Sequence, residues 1–180
     1  MKIVACLGAL GWVRVAVGLF FLAGCSASGV GETAANPTPP AEAAQLTQMV
    51  ISLNGRYQKA APAERAEALS QLLATAVRRE QLLGQLMEKD PKEVLRVAMP
   101  SKIRGALPPQ VQAHVEEEVD VEGTIEILHE DRDPGSRYLY FLRVGPDKLS
   151  LHFAGRPPTV LTDTRVRVRG IRLGRDIALE

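Results

Sequence analysis

Between Glu118 and Ile127, apolar and polar side chains alternate one by one. Val119, Val121, Ile125 and Ile127 share one parity; Glu118, Asp120, Glu122, Thr124 and Glu126 take the other. Successive side chains of an extended chain point to opposite faces, so this period of two specifies a half-buried strand and excludes an amphipathic helix. Gly123 interrupts the apolar parity, and a glycine inside a strand marks a bulge or a sharp coil. Short strand-like runs follow with turn residues between them. Asp131 to Ser136 (DRDPGS) reads as a turn, Tyr138 to Val144 as a second strand, and Gly145-Pro146-Asp147 as a tight turn. Leu149, Leu151 and Phe153 mark a third strand, Thr164 to Ile171 a fourth and Asp176 to Leu179 a fifth. Five short strands with turn signals, the first of them coiled, predict a small β-barrel over residues 111–180.

Upstream the period is helical. Leu46, Val50, Leu53 and Tyr57 recur at spacings of three and four, with Asn54-Gly55 weakening the last turn. Pro62 suits the first position of a second helix, with Glu64 and Glu67 near its positive end. Leu69, Leu72, Leu73, Ala76, Val77, Leu83, Leu86 and Met87 form its apolar stripe. Asp90 before Pro91 ends that helix and caps a short one through Val97. Pro100 stops the third helix, and Pro108-Pro109 breaks the chain again. Residues 43–110 are thus a helical segment, and the two long helices predict an antiparallel hairpin packed on the following domain. The stripe is too short for the sustained heptads of a partner-binding coiled coil.

The first 24 residues carry a different signal. Lys2 gives a positive start, Val15 to Leu22 (VAVGLFFL) is an unbroken apolar run, and small residues follow. Leu22-Ala23-Gly24-Cys25 resembles the lipobox of bacterial lipoproteins. The resemblance implies cleavage after Gly24, diacylglycerol on Cys25 and acylation of the new amine, so the partner would be a membrane reached through that lipid. Ser26 is not Asp, which by the same resemblance leaves the protein free to reach an outer membrane if the cell has one. Arg14 argues against a permanent span, because a charge at mid-bilayer costs about 3 kcal/mol or more. Cys6 and Cys25 are the only cysteines, and cleavage would leave Cys25 with no internal disulfide partner. Residues 25–42, rich in Pro, Gly and small side chains, read as a flexible tether. Cleavage would remove two of the 22 positive charges and none of the 21 negative ones, leaving the mature chain one charge negative. A nearly neutral chain has no global field to recruit nucleic acid.

Val121-Glu122-Gly123-Thr124-Ile125 and Arg165-Val166-Arg167-Val168-Arg169-Gly170 resemble the first and fourth strands of an OB-fold, over roughly residues 115 to 180. The fold class expected is therefore α+β: an N-terminal α-helical hairpin followed by a small five-stranded OB-like β-barrel. Residues 154–163 are too few for the helix that an OB-fold usually places between strands three and four. The sequence is also similar to N-terminal modules of larger secreted bacterial proteins, some with metallopeptidase domains, and no peptidase role is carried over from them.

Arg165, Arg167 and Arg169, with Tyr138, Tyr140 and Phe141, form a possible binding face, since OB barrels bind single strands with basic and stacking side chains. Against a nucleic-acid partner, strand one of such a barrel runs antiparallel to strand four. Glu118, Asp120, Glu122 and Glu126 would then face the arginines and neutralise them. His114, His129 and His152 fit no zinc spacing, and Asp131, Asp133 and Gly135 suit an ordinary turn better than a calcium loop. No nucleophile elbow, phosphate loop or dinucleotide fingerprint is present, and no cofactor or metal is expected. The reading is a non-enzymatic, lipid-anchored envelope protein whose barrel binds a protein or glycan. Its rivals are an assembly lipoprotein working through the hairpin and a single-stranded nucleic-acid binder.

Overall fold

Helical and extended periods sort the chain into two layers in the computed structural model, which describes residues 38–131 and 135–180. Among the described residues five helices come first: α1 (Pro39–Lys59), α2 (Arg65–Lys89), α3 (Pro91–Val97), α4 (Ser101–Gly105) and α5 (Pro109–Gln112). Five strands follow: β1 (Glu117–Asp131), β2 (Ser136–Val144), β3 (Asp147–Phe153), β4 (Arg165–Leu173) and β5 (Asp176–Leu179). The α+β class with helices preceding a five-stranded sheet is as expected. The lipobox residues Leu22, Ala23, Gly24 and Cys25, and all but the end of the expected tether, lie outside the described residues.

Several boundaries differ from expectation. Helix α1 starts at Pro39, inside the expected tether, because prolines in a first helical turn forfeit no intrahelical bond. It runs through Asn54-Gly55 because Asn54 is buried, donating from Nδ2 to the Ala106 carbonyl at 3.4 Å. Pro62 does not open α2: Pro62 to Glu64 form a turn, closed by Glu64 N–H to Ala61 O at 2.9 Å. The prolines that end α3 and break the chain later each start a further short helix, and α5 crosses the expected boundary at residue 111. Asp90 caps α3 as expected, accepting from Glu93 N–H at 3.2 Å.

The hairpin stripe is consumed by packing. Leu83, Leu86 and Met87 join Val94 and Val97 of α3 against Leu173 of β4 and Ala178 of β5. Leu72 and Ala76 pack with Val50, Met99, Leu107, Val111 and Val115. A third cluster fills the sheet interior, with Ile125, Leu142, Leu149, Leu151, Val168, Ile177 and Leu179.

Strand β1 is long because it serves two neighbours. Its first half pairs with β4, from Glu117↔Arg172 to Thr124↔Arg165, and its second half with β2, from Thr124↔Arg143 to Asp131↔Ser136. Gly123 stands at this handover. A Cβ there would lie 2.4 Å from the Arg143 carbonyl oxygen and 2.9 Å from Leu142 Cγ, so only glycine lets the strand coil so closely. The order β1-β2-β3-β5-β4 leads back to β1 as a closed barrel, with β3 and β5 parallel and the other pairs antiparallel. Residues 154–163 contain no helix. That loop ends at Asp163, in the left-handed region at φ 63°, whose N–H donates to Ile125 O at 2.7 Å.

Candidate functional site

Parity sets which side chains the barrel shows outside. On β4, Arg165, Arg167 and Arg169 point outward while Val166 and Val168 turn to the interior cluster. Across the ladder, Arg167 faces Glu122 and Arg169 faces Asp120. Arg165 and Arg167 reach one residue pair along the strand, while Arg169 keeps the partner directly opposite it. Arg167 Nε and Nη2 donate to Asp120 at 2.5 and 2.8 Å, Arg169 Nε donates to the same carboxylate at 2.8 Å, and Arg165 reaches Glu122 at 3.3 Å. The hydrogen bond from Arg167, with a smaller one from Arg169, holds the Asp120 carboxyl below its usual range against the opposing effect of burial. Asp120 and Glu122 thus answer the arginine row in part, two carboxylates against three guanidinium groups. Two acids expected there stand elsewhere: Glu118 lies opposite Ile171, and Glu126 lies opposite Phe141, paired with Lys148 at 2.8 Å and Arg143 at 3.8 Å.

The aromatic residues do not form one face with the arginines. Tyr140 points inward and meets Phe153 edge-on at 5.2 Å between ring centroids. Tyr138 shares its parity but sits where the hairpin leaves the barrel, 60% exposed and stacked on His129 at 4.8 Å. Phe141 points outward under the Lys148 ammonium, 4.1 Å from its ring centroid. Adjacent residues of a strand cannot share a face, so Tyr140 and Phe141 are separated by the pleat itself.

What the topology does bring together is an outward row across β2, β3 and β5, in which Phe141 pairs with Ser150 and Ser150 with Asp176. His152 Nε2 lies 2.9 Å from Asp176 Oδ1. The His152 hydrogen bond, then its charge and a contribution from the Ser150 hydroxyl, hold the Asp176 carboxyl below its ordinary value of 3.8, against burial. With Glu88 at the end of α2 and Arg137 on β2, these residues line a groove of about 360 Å³. Asp176 reaches both Ser150 and His152, so the carboxylate positions two hydrogen-bonding side chains; it does not place a base beside the serine as an acyl-transfer relay requires. The groove can recognise polar groups beside an aromatic ring.

A second recess of about 560 Å³ lies at the barrel end beneath residues 156–160, where Val160 packs against the interior cluster. Its wall is apolar, with Leu151, Phe153, Val166, Val168 and Leu179, and its charged lining is Arg156, Arg167, Arg169 and the acidic Glu180.

The most deeply buried polar group joins the helices to the barrel. Arg79 is 0% exposed and Glu116 1%. Both Arg79 Nη atoms donate to the Glu116 carboxylate, Nη2 at 2.7 Å, and Nη2 also reaches Val97 O at 3.1 Å. Arg79 Nε donates to Thr47 Oγ1 at 2.8 Å, and Met99 N–H donates to Glu116 at 2.6 Å. The sequence signal was available: Leu72, Ala76, Arg79, Leu83 and Leu86 step by four and three, placing the arginine on the apolar stripe. Its partner, 37 residues on, had no such mark. The other two histidines are held by neighbours, His114 by Glu80 at 2.7 Å and His129 by Asp131 at 3.5 Å. Among the described residues, no cluster of three or more His, Cys, Asp or Glu could hold a metal ion, and no helix is long and apolar enough to cross a membrane.

No family model matches this chain, and none of the curated proteins or solved structures compared with it matches.

Proposed function

We propose that this chain is a lipid-anchored, non-enzymatic binding or adaptor protein of the cell envelope, built on an OB-like barrel docked to a helical hairpin. The observation that carries the reading is the groove over β2, β3 and β5. OB barrels bind ligands on the face of their second and third strands. Here the helices cover Leu173 and Ala178 of β4 and β5 and leave Phe141, Ser150 and His152 lining an open recess. The strand order, the coiled β1 and the parallel β3–β5 ladder support the OB-like assignment. Pairing of the arginine row with Asp120 and Glu122 weighs against a phosphate backbone as partner, and packing of the α2 stripe weighs against the hairpin as the working surface.

The anchoring rests on Leu22-Ala23-Gly24-Cys25. In cells fed an alkyne fatty acid, label should enter the wild type and not Cys25→Ser, and the mature mass should begin at Cys25. Retention of residues 1–24 without label refutes the anchor. For the binding face, a photo-crosslinking residue at Ser150 should trap an envelope partner that the same residue at Met49, 50% exposed on α1, does not. Trapping from Met49 alone hands the function to the hairpin.

A further inference from the structure

Strand β4 has a strand on both sides only near its end. Its pairing with β1 runs from Arg165 to Arg172, whereas β5 covers only Ile171 to Leu173. Among the described residues, no backbone hydrogen bond from the loop 154–163 reaches Arg165 to Arg169. Five residues therefore present a free backbone edge, the feature on which another strand can build. Along that edge runs the 560 Å³ recess, floored by Val166, Val168, Leu151, Phe153 and Leu179. Leu161, in the loop beside it, is 81% exposed.

The occupied edge of β4 shows what this strand accepts. Glu118-Val119-Asp120-Val121-Glu122 of β1 lies antiparallel to it, with Asp120 and Glu122 beside the arginines, Glu118 opposite Ile171 and the valines inward. The charges are not exhausted by that pairing. Three arginines share two carboxylates, Asp120 serving both Arg167 and Arg169; Arg156 has no ion-pair partner among the described residues, and the recess itself adds one further carboxylate, Glu180, so four arginines face three acidic side chains. A strand on the free edge would set its outward side chains beside Arg165, Arg167 and Arg169 and its inward ones into the apolar recess.

We infer that the free edge of β4 captures an extended segment of a partner protein in which acidic side chains alternate with apolar ones, added as a further strand. Main-chain hydrogen bonds would supply affinity; the recess and the surplus arginines would supply specificity. Five residues of edge span about 17 Å, enough for two or three side chains of each kind. This site shares only Leu151 with the β2–β3–β5 groove, so its failure and that of the lipid or crosslinking tests are told apart.

The test uses the full chain in detergent micelles and a fluorescein-labelled peptide, Glu-Val-Asp-Val-Glu-Val. Saturable binding is expected, at least tenfold weaker for the peptide with Lys at its acidic positions and at least tenfold weaker for Arg156→Glu/Arg169→Glu protein. Both arginines are exposed, and circular dichroism of that variant should match wild type. Hydrogen exchange should show slowed amides within residues 165–169 when peptide is bound. No binding at millimolar peptide refutes the inference. So does protection confined to residues 137–153, or equal affinity for the acidic and lysine peptides. Dodecanoate filling the recess while the peptide fails to bind would reassign the site to a small amphipathic anion and refute it as well.

Discussion

Replacing Glu116 with Ala should damage this protein more than any surface ion-pair change, and the size of the loss follows from what the carboxylate holds. Three donors point at it: two guanidinium N–H groups of Arg79 and the Met99 amide. Arg79 has no exposed surface through which water could replace them. An unsatisfied buried donor costs about 1–3 kcal/mol, and removing one member of a buried ion pair costs about 3–5 kcal/mol. About 4 kcal/mol is therefore expected, a large part of the 5–15 kcal/mol that stabilises a typical domain. The loss should lower Tm by about 12 °C at roughly 3 °C per kcal/mol. The companion variant Arg79→Met/Glu116→Leu removes both charges and fills the space. It should be no worse than the single substitution despite carrying two changes, because no charge is left without a partner. Urea denaturation followed by circular dichroism measures both. A single-site loss under about 1 kcal/mol, or a double variant as unstable as two additive losses, would refute the argument that desolvated charge governs this site.

Three further outcomes are expected. Gly170→Ala places a Cβ 2.2 Å from the Ala178 carbonyl oxygen and 2.7 Å from Leu179 Cδ2, so β4 and β5 must separate; about 3 kcal/mol should be lost in denaturant titration. Gly84→Ala, in the interior of α2 with nothing within 4 Å of the new methyl, should instead gain about 0.5–1 kcal/mol in the same assay. The Asp176 carboxyl is held below its ordinary 3.8, so its contribution to stability is present above that value and fades as pH falls through it toward the lower folded value. The Tm difference between wild type and Asp176→Asn should accordingly narrow as pH falls below 3.8; a difference that grows on acidification through that range would show the sign to be wrong.

Local periodicity was enough to place helices before strands, to pick the buried residues of α2, and to choose which valines of β1 and β4 turn inward. Those properties depend on spacing along one segment, 3.6 residues per turn or two per pleat, and any segment that must bury one face advertises it. Parity alone would also have separated Tyr140 from Phe141, which the proposed binding face had joined. Pro91 opens the short helix expected after Asp90, whereas Pro39 of the expected tether and Pro109, read as a break, also begin helices, and Pro62, expected to open α2, lies in the turn before it; the distinction depends on whether the preceding chain is free to stay extended. The partnerships were decided only in three dimensions. Gly123 marked a coil, yet that β1 leaves β4 there and takes up β2 follows from closure of the sheet. The groove draws on α2, β2, β3 and β5, the free edge of β4 exists because β5 is short, and Arg79 meets Glu116 across 37 residues. None of these has a local signature, because the energy of a contact between distant segments depends on which pairs the packed cores bring together, and that is a property of the whole chain.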